Sequence, residues 1–147
     1  MMENINTQIT SYLVEKGFVQ KEDLEKVLPP GQPLGDLSLE EHLIHSGLIS
    51  EEQFRKVVEG LFGIPFATVE DFPQEPLLIN HLSLPFMKES KFIPVRLMDK
   101  VLTIIMSNPF DFYALDALRL ATNLEIRVLS GRESEILDAI ERLYGTG

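Results

Sequence analysis

The 147-residue sequence has no cysteine, so disulfides and thiol chemistry are excluded and a reducing compartment is permitted. No apolar run approaches the roughly 20 residues needed to cross a bilayer as a helix. The opening MMENINTQITSYL lacks the basic flank and apolar stretch of a signal peptide. Basic residues are in the minority, 13 against 23 acidic, for a formal charge of −10. Duplex DNA and anionic membranes both ask for clustered Lys and Arg, so nucleic-acid binding and direct membrane insertion are not expected. The acids are spread over both halves, as a solubilising surface would have them. The reading is of a cytoplasmic protein.

What is present is ordinary globular material, 44% hydrophobic and 24% charged, enough for one domain or one domain with a small appendage. Apolar spacing predicts a helix over 4–16, with Ile5, Ile9, Tyr12 and Leu13 on one face, ended by Gly17. A second helix, 21–28, is stopped by Pro29-Pro30-Gly31, and PPGQPLGD (29–36) is the best linker candidate. Ser38-Leu39-Glu40-Glu41 and Ser50 with Gln53 are capping boxes, in which Ser and an acid or amide satisfy each other's free backbone donors. They start a third helix ending at Gly47 and a fourth, with Ile49 and Phe54 placed as a hydrophobic staple.

An internal repeat lies here. LVEKGFVQKEDLEKVL (13–28) aligns with LIHSGLISEEQFRKVV (43–58), sharing Leu13/Leu43, Gly17/Gly47, Glu22/Glu52, Lys26/Lys56 and Val27/Val57. Two helix–Gly–helix corners meeting one packing requirement twice would produce it.

From Gly63 the period changes. Ile64–Val69 reads as a short edge strand, where Pro65 is tolerated. Two short helical pieces follow, 77–82 and 84–89. Phe92–Leu97 and Val101–Met106 form a hairpin around Met98-Asp99-Lys100. Asn108-Pro109 starts a helix, Asp111 falls in its first turn, and Asn123 ends it. Leu124–Leu129 alternates as a strand, and Ser130-Gly131-Arg132-Glu133 is a capping box opening a last helix that ends at Gly145. The expected fold is α+β: a helical N-terminal half, then a small three- to four-stranded sheet covered on one face by helices. The expected division is 1–28 as a helical pair, 29–36 as linker, and 37–147 as the main domain, with helices 38–62 and the sheet and its covering helices over 64–145.

Catalytic chemistry is hard to place. There is no G-x-x-x-x-G-K-[ST] to cradle a phosphate and no G-x-S-x-G around Ser46, Ser83 or Ser107. His42 and His45 with Glu41 share a helix, but an acidic helix supplies such trios by chance, and His81 has no visible partner. Asp111, Asp116 and Glu125 are explained by helix starts and solvated faces. No enzyme activity, metal or cofactor is expected of this chain.

NPFDFYALDALRLATNLEIRVL, the capped helix closing in AIERLYG, and HLSLPFMKESKFIPVRLMDKVLTIIMSNP upstream together carry a resemblance. The chain, from about Leu13 to Gly145, resembles the N-terminal domain of general secretory pathway protein E, the bacterial type II secretion ATPase, and related domains of type IV pilus assembly ATPases. The resemblance implies a non-catalytic docking and regulatory domain whose partners are two. One is the C-terminal ATPase domain of the same polypeptide, beyond Gly147. The other is the cytoplasmic domain of the inner-membrane platform protein, general secretory pathway protein L, which would hold the motor peripherally at the inner membrane. For the docking surface we expect the helical corners: Leu13, Phe18, Leu43 and Leu48, beside the acidic Glu51 and Glu52. The first two helices are expected to move about 29–36 on docking.

The alternative is a cyclic di-GMP sensor. In the related pilus ATPases the similar repeat presents an Arg-Leu-Gly and a Gln around a central Gly. Aligned on that Gly, this sequence has Ser38-Leu39-Glu40 and Leu61 in one copy, and Gln8-Ile9-Thr10 and Gly31 in the other. The phosphate- and guanine-binding Arg is missing, and Glu40 adds bulk and negative charge.

Overall fold

In the computed structural model, residues 5–29, 38–79 and 82–145 are described. Helix α1 (Ile5–Glu15) turns into α2 (Lys21–Val27) at Gly17, and α3 (Leu39–His45) turns into α4 (Glu51–Phe62) at Gly47. Both glycines sit at φ +79°, a left-handed conformation that costs other residues about 1–2 kcal/mol. The same bonds close both corners. Gly17 and Gly47 N–H donate to the carbonyls of Val14 and Ile44, and Val19 and Ile49 N–H donate to those of Leu13 and Leu43. Leu13, Val19, Leu43 and Ile49 are buried, while Phe18 and Leu48 are half-buried at the matching place in each copy.

Local chemistry starts the fourth helix as the sequence predicts and the third only in part, since Glu41 accepts from the Ser38 hydroxyl and not from its backbone N–H. Ser50 Oγ accepts from Gln53 N–H at 3.1 Å, and Gln53 Oε1 accepts from Ser50 N–H at 2.9 Å. Ser38 Oγ accepts from Glu41 N–H at 3.2 Å. Ile49 and Phe54 are both buried, as a staple requires. The copies diverge in their second helices. Phe54, Val57 and Val58 of α4 are buried and α4 packs on α1, whereas no residue of the shorter α2 is buried.

By its contacts the chain divides into two compact units, residues 1–63 and 64–147. Helices 38–62 thus group with the first helical pair, where the sequence reading joined them to the sheet, because α4 supplies the apolar face on which α1 packs. Residues 30–36 of the expected linker lie outside the described residues.

The second unit is built on β1 (Phe92–Met98), β2 (Val101–Met106) and β3 (Glu125–Ser130), in the order β1-β2-β3. β1 and β2 are antiparallel, joined at Asp99-Lys100, whose φ values of 53° and 65° are those of a primed two-residue turn. β3 runs parallel to β2, which requires a crossover, and α6 (Phe112–Thr122) provides it. Helix α5 (Leu84–Ser90) packs on β1, and α7 (Glu133–Tyr144) packs on β1, β2 and α5. The fold is α+β, as expected. The sheet is covered more fully than expected: Leu102 through Met106 are all buried, so β2 is shielded on both faces.

Four local expectations fail, each for a traceable reason. Ile64–Val69 is not a strand. It makes one parallel bridge, Phe66 to Ser130, and then Thr68 N–H donates to Asp71 Oδ2 at 2.7 Å and turns the chain into a short 3-10 helix. Leu77–Ile79 is not helical, and the rest of that expected piece includes Asn80 and His81, outside the described residues. Helix α6 starts at Phe112 rather than after Pro109. Asp111 is its cap, accepting from Ala114 N–H at 3.1 Å, while Asn108 Oδ1 accepts from Phe110 N–H in a preceding turn. Ser130 caps nothing, because it is the last residue of β3, and Arg132 begins α7 without a side-chain cap. Gly131 passes so close to Ile105 that a β-carbon there would stand 2.5 Å from its methyl carbon.

Tyr144, at the end of α7, fastens the 77–79 segment. Its hydroxyl accepts from Leu77 N–H and donates to Leu77 C=O, both at 2.9 Å. Burial pushes the Tyr144 hydroxyl above its ordinary value of 10, with the Leu77 backbone bond pulling back. The folded state therefore holds this proton more tightly, so its contribution is full below pH 10 and is lost as pH rises through the folded value. Tyr144→Phe is expected to cost about 1–2 kcal/mol at neutral pH, two bonds' worth. Thermal unfolding at rising alkaline pH should show the gap between variant and parent narrowing.

Candidate functional site

The six residues expected to dock separate into three kinds. Leu13 and Leu43 are both 0% exposed, each beneath its own corner. They hold the corners' shape and present no atoms to a partner, because an apolar residue one turn before a Schellman-type glycine folds under it. Phe18 and Leu48 remain half-buried on the outside of the corners. Glu51 is paired with Arg55, and Glu52 with Lys56 at 3.9 Å, so both acids at the start of α4 are partly neutralised along their own helix.

At the α3–α4 corner the charges are crowded. Glu40 is an exposed residue, yet partial loss of water around its carboxyl, then the nearby Glu51 and Glu41, push it above the usual carboxylate range, and Arg55 pulls it back. The ionised form is thus disfavoured in the folded state. This group's contribution is full below its unfolded pKa and is lost as pH rises through the folded one. Glu40→Gln should therefore raise the thermal midpoint at pH 7, and the gain should vanish in acid, where both states are protonated. A midpoint that falls in Glu40→Gln at pH 7 would contradict this.

The groups weighed for catalysis serve the backbone. Ser46 Oγ donates to Leu43 C=O at 3.0 Å and accepts from Leu48 N–H at 3.3 Å, while Ser83 caps α5 by accepting from Phe86 N–H. Asp116 pairs with Arg119 at 3.2 Å. Among the described residues no three His, Cys, Asp or Glu side chains come together as a metal site, and no helix is long and apolar enough to cross a membrane. A groove in the second unit is lined by the side chains of Leu77, Leu78, Ile79, Leu82, Met87 and Tyr144, of which only the tyrosine carries a polar group, a hydroxyl already bonded to Leu77.

Sequence reasoning missed where the exposed apolar side chains sit. Val69, Leu78, Leu97, Met98, Phe112, Tyr113 and Leu120 are all in the second unit, with Tyr113 93% exposed. Tyr113 and Leu120, seven apart on α6, share its outer face. The sequence carried a signal: one face of α6 is fully supplied by Ala114, Leu115 and Leu118, leaving these two as surplus. It also missed a row of cations across the sheet, Arg96 and Arg127 on either side of Thr103, because register is not readable from alternation alone.

The described residues form a twin-cornered helical unit and a small mixed sheet with its covering helices. Residues 62–147 match the family model of the MshEN domain, and the chain belongs to that family. It is 35% identical over 147 residues to type II secretion system protein E of Xanthomonas campestris pv. campestris, covering 96% of this chain and 25% of that protein. It is 32% identical over 134 residues to the type IV pilus assembly ATPase PilB of Thermus thermophilus, covering 90% of this chain and 15% of that protein. The chain thus spans a quarter or less of these relatives' length. The structure of the N-terminal domain of XpsE is similar over 99% of this chain and 100% of that one, at 31% identity and TM-score 0.72. A structure of MshE with cdg shares the fold at TM-score 0.76 and 23% identity, over 92% of this chain and 98% of that one.

Proposed function

We propose that this chain is a non-catalytic docking domain that tethers a type II secretion ATPase to the cytoplasmic domain of its inner-membrane platform protein, of the protein L type. The observation that carries the reading is the pair of matched corners, each offering a half-buried apolar residue, Phe18 or Leu48, over a rigid buried base. Glu51 and Glu52 border the second corner and add a charged rim. The full-length likeness to the XpsE N-terminal domain supports the setting. With no helix among the described residues able to cross a bilayer and a net charge of −10, recruitment to the inner membrane would run through a protein. The mechanism is positional: tethering raises the motor's effective concentration at its platform.

Calorimetric titration with the platform protein's cytoplasmic domain tests this. Binding is expected, and the double variant Phe18→Ala/Leu48→Ala should weaken it about tenfold or more, as loss of interface anchors does. A flat trace with the folded parent chain would sink the reading.

The second reading, a cyclic di-GMP sensor, is favoured by the repeated corners and by the fold shared with MshE, whose structure is with cdg. Against it stands the Glu40 carboxyl, crowded with Glu51 and Glu41 where a dianionic ligand's backbone would have to approach. Titration with the nucleotide, run beside the protein titration, separates the two.

A further inference from the structure

Across the sheet, Arg96 pairs with Thr103 and Thr103 with Arg127, so the three lie in one row on one face. The next row on that face, Ile93–Ile105–Leu129, is buried, whereas the row on the turn side, Met98–Val101–Glu125, opens to solvent with Met98 61% exposed. The arginine row thus stands where the covered part of the face gives way to an uncovered part. Thr103 is buried between two exposed arginines.

Neither guanidinium has an ion-pair partner among the described residues. Of the eight Lys and Arg side chains in residues 64–147, four are paired: Lys88 with Glu141, Lys91 with Glu133, Arg119 with Asp116 and Arg132 with Glu135. Among the described residues no carboxylate lies within ion-pair distance of the other four, and three of those, Arg96, Lys100 and Arg127, gather at the turn end of the sheet. Glu125 lies in the adjoining row of that face, yet among the described residues no carboxylate is paired with either arginine.

We propose that the Arg96–Thr103–Arg127 row, with Lys100 beside it, is a docking surface for an acidic segment of a protein partner. Two strand spacings put the arginine backbones roughly 10 Å apart. Carboxylates seven residues apart on a helix are separated by about the same distance. Each guanidinium can take a carboxylate in a two-pronged bond, a geometry lysine does not offer. Exposed Met98, in the adjoining row of the same face, supplies apolar contact next to the charges. A lipid surface is the poorer occupant, because the rest of this acidic chain would be repelled by it. The surface lies in the second unit and does not rest on the tethering through Phe18 and Leu48.

Hexaglutamate added to the isotopically labelled chain at low salt, followed by backbone amide shifts, tests the proposal. Shifts should centre on Arg96, Lys100, Thr103 and Arg127, fade with added salt, and be absent with hexaglutamine. The double variant R96Q/R127Q should weaken binding about tenfold or more, each single variant taking part of the loss. An unchanged thermal midpoint separates lost binding from a lost fold. No shifts, shifts centred on another surface, or an affinity unchanged in the folded double variant would overturn the proposal.

Discussion

Leu43→Ala is expected to destabilise the helical unit by about 2–5 kcal/mol, while Leu48→Ala, five residues on, should cost far less. The two leucines read alike in sequence, but Leu43 is fully buried beneath the α3–α4 corner and Leu48 is half-buried outside it. Removing three carbons from Leu43 leaves a cavity that the glycine turn above it cannot close, because Gly47 is already committed to φ +79° and bonded to Ile44. Chemical denaturation of both variants checks this, and equal losses would refute the division between them. The contrast matters for docking. Leu48→Ala should weaken a partner while leaving the fold, whereas Leu43→Ala should weaken it only by unfolding the corner.

Phe92→Ala should cost the second unit about 3–5 kcal/mol, a large share of the stability of a small unit. Phe92 is fully buried at the start of β1, pairs with Met106 in the register, and meets Phe86 edge-on with ring centroids 5.0 Å apart. Its loss removes an aromatic contact as well as area. Phe86, only half-buried, should tolerate truncation better. Two unfolding transitions, with only the one belonging to residues 64–147 moved by Phe92→Ala, is the expected calorimetric record.

Features decided by a few neighbouring residues were legible in the sequence: the Gly17 and Gly47 corners, the Ser50–Gln53 box, the turn at Asp99-Lys100 and the stop at Asn123, whose φ is 57°. Features decided by distant partners were not. Ser130-Gly131-Arg132-Glu133 has the composition of a capping box, yet Ser130 is taken by the sheet, donating to Pro65 C=O at 2.9 Å and accepting from Ala67 N–H at 2.8 Å. A cap is worth about 1 kcal/mol, and strand pairing with burial of the adjoining Leu129 outweighs it. The register also shifts between Pro94 and Arg96, which places Arg96 opposite Thr103. Alternation within β1 alone could not reveal that. The candidate docking residues were half legible for the same reason: hydrophobic spacing found Leu13 and Phe18 together, and only the folded corner tells which one faces inward.

The bond between Tyr144 and Leu77 spans 67 residues, and it has a consequence for the chain during its own synthesis. Corner bonds and helix caps in the first unit join near neighbours, so they can form as soon as that stretch leaves the ribosome. The second unit must wait for its last helix before the 77–79 segment can be fastened, and closing so long a loop is slow. At roughly 5–20 residues per second, the 81 residues between Gly63 and Tyr144 take about 4–16 s to make. For that interval a finished helical unit precedes an open sheet whose apolar strands, β2 above all, still lack their cover.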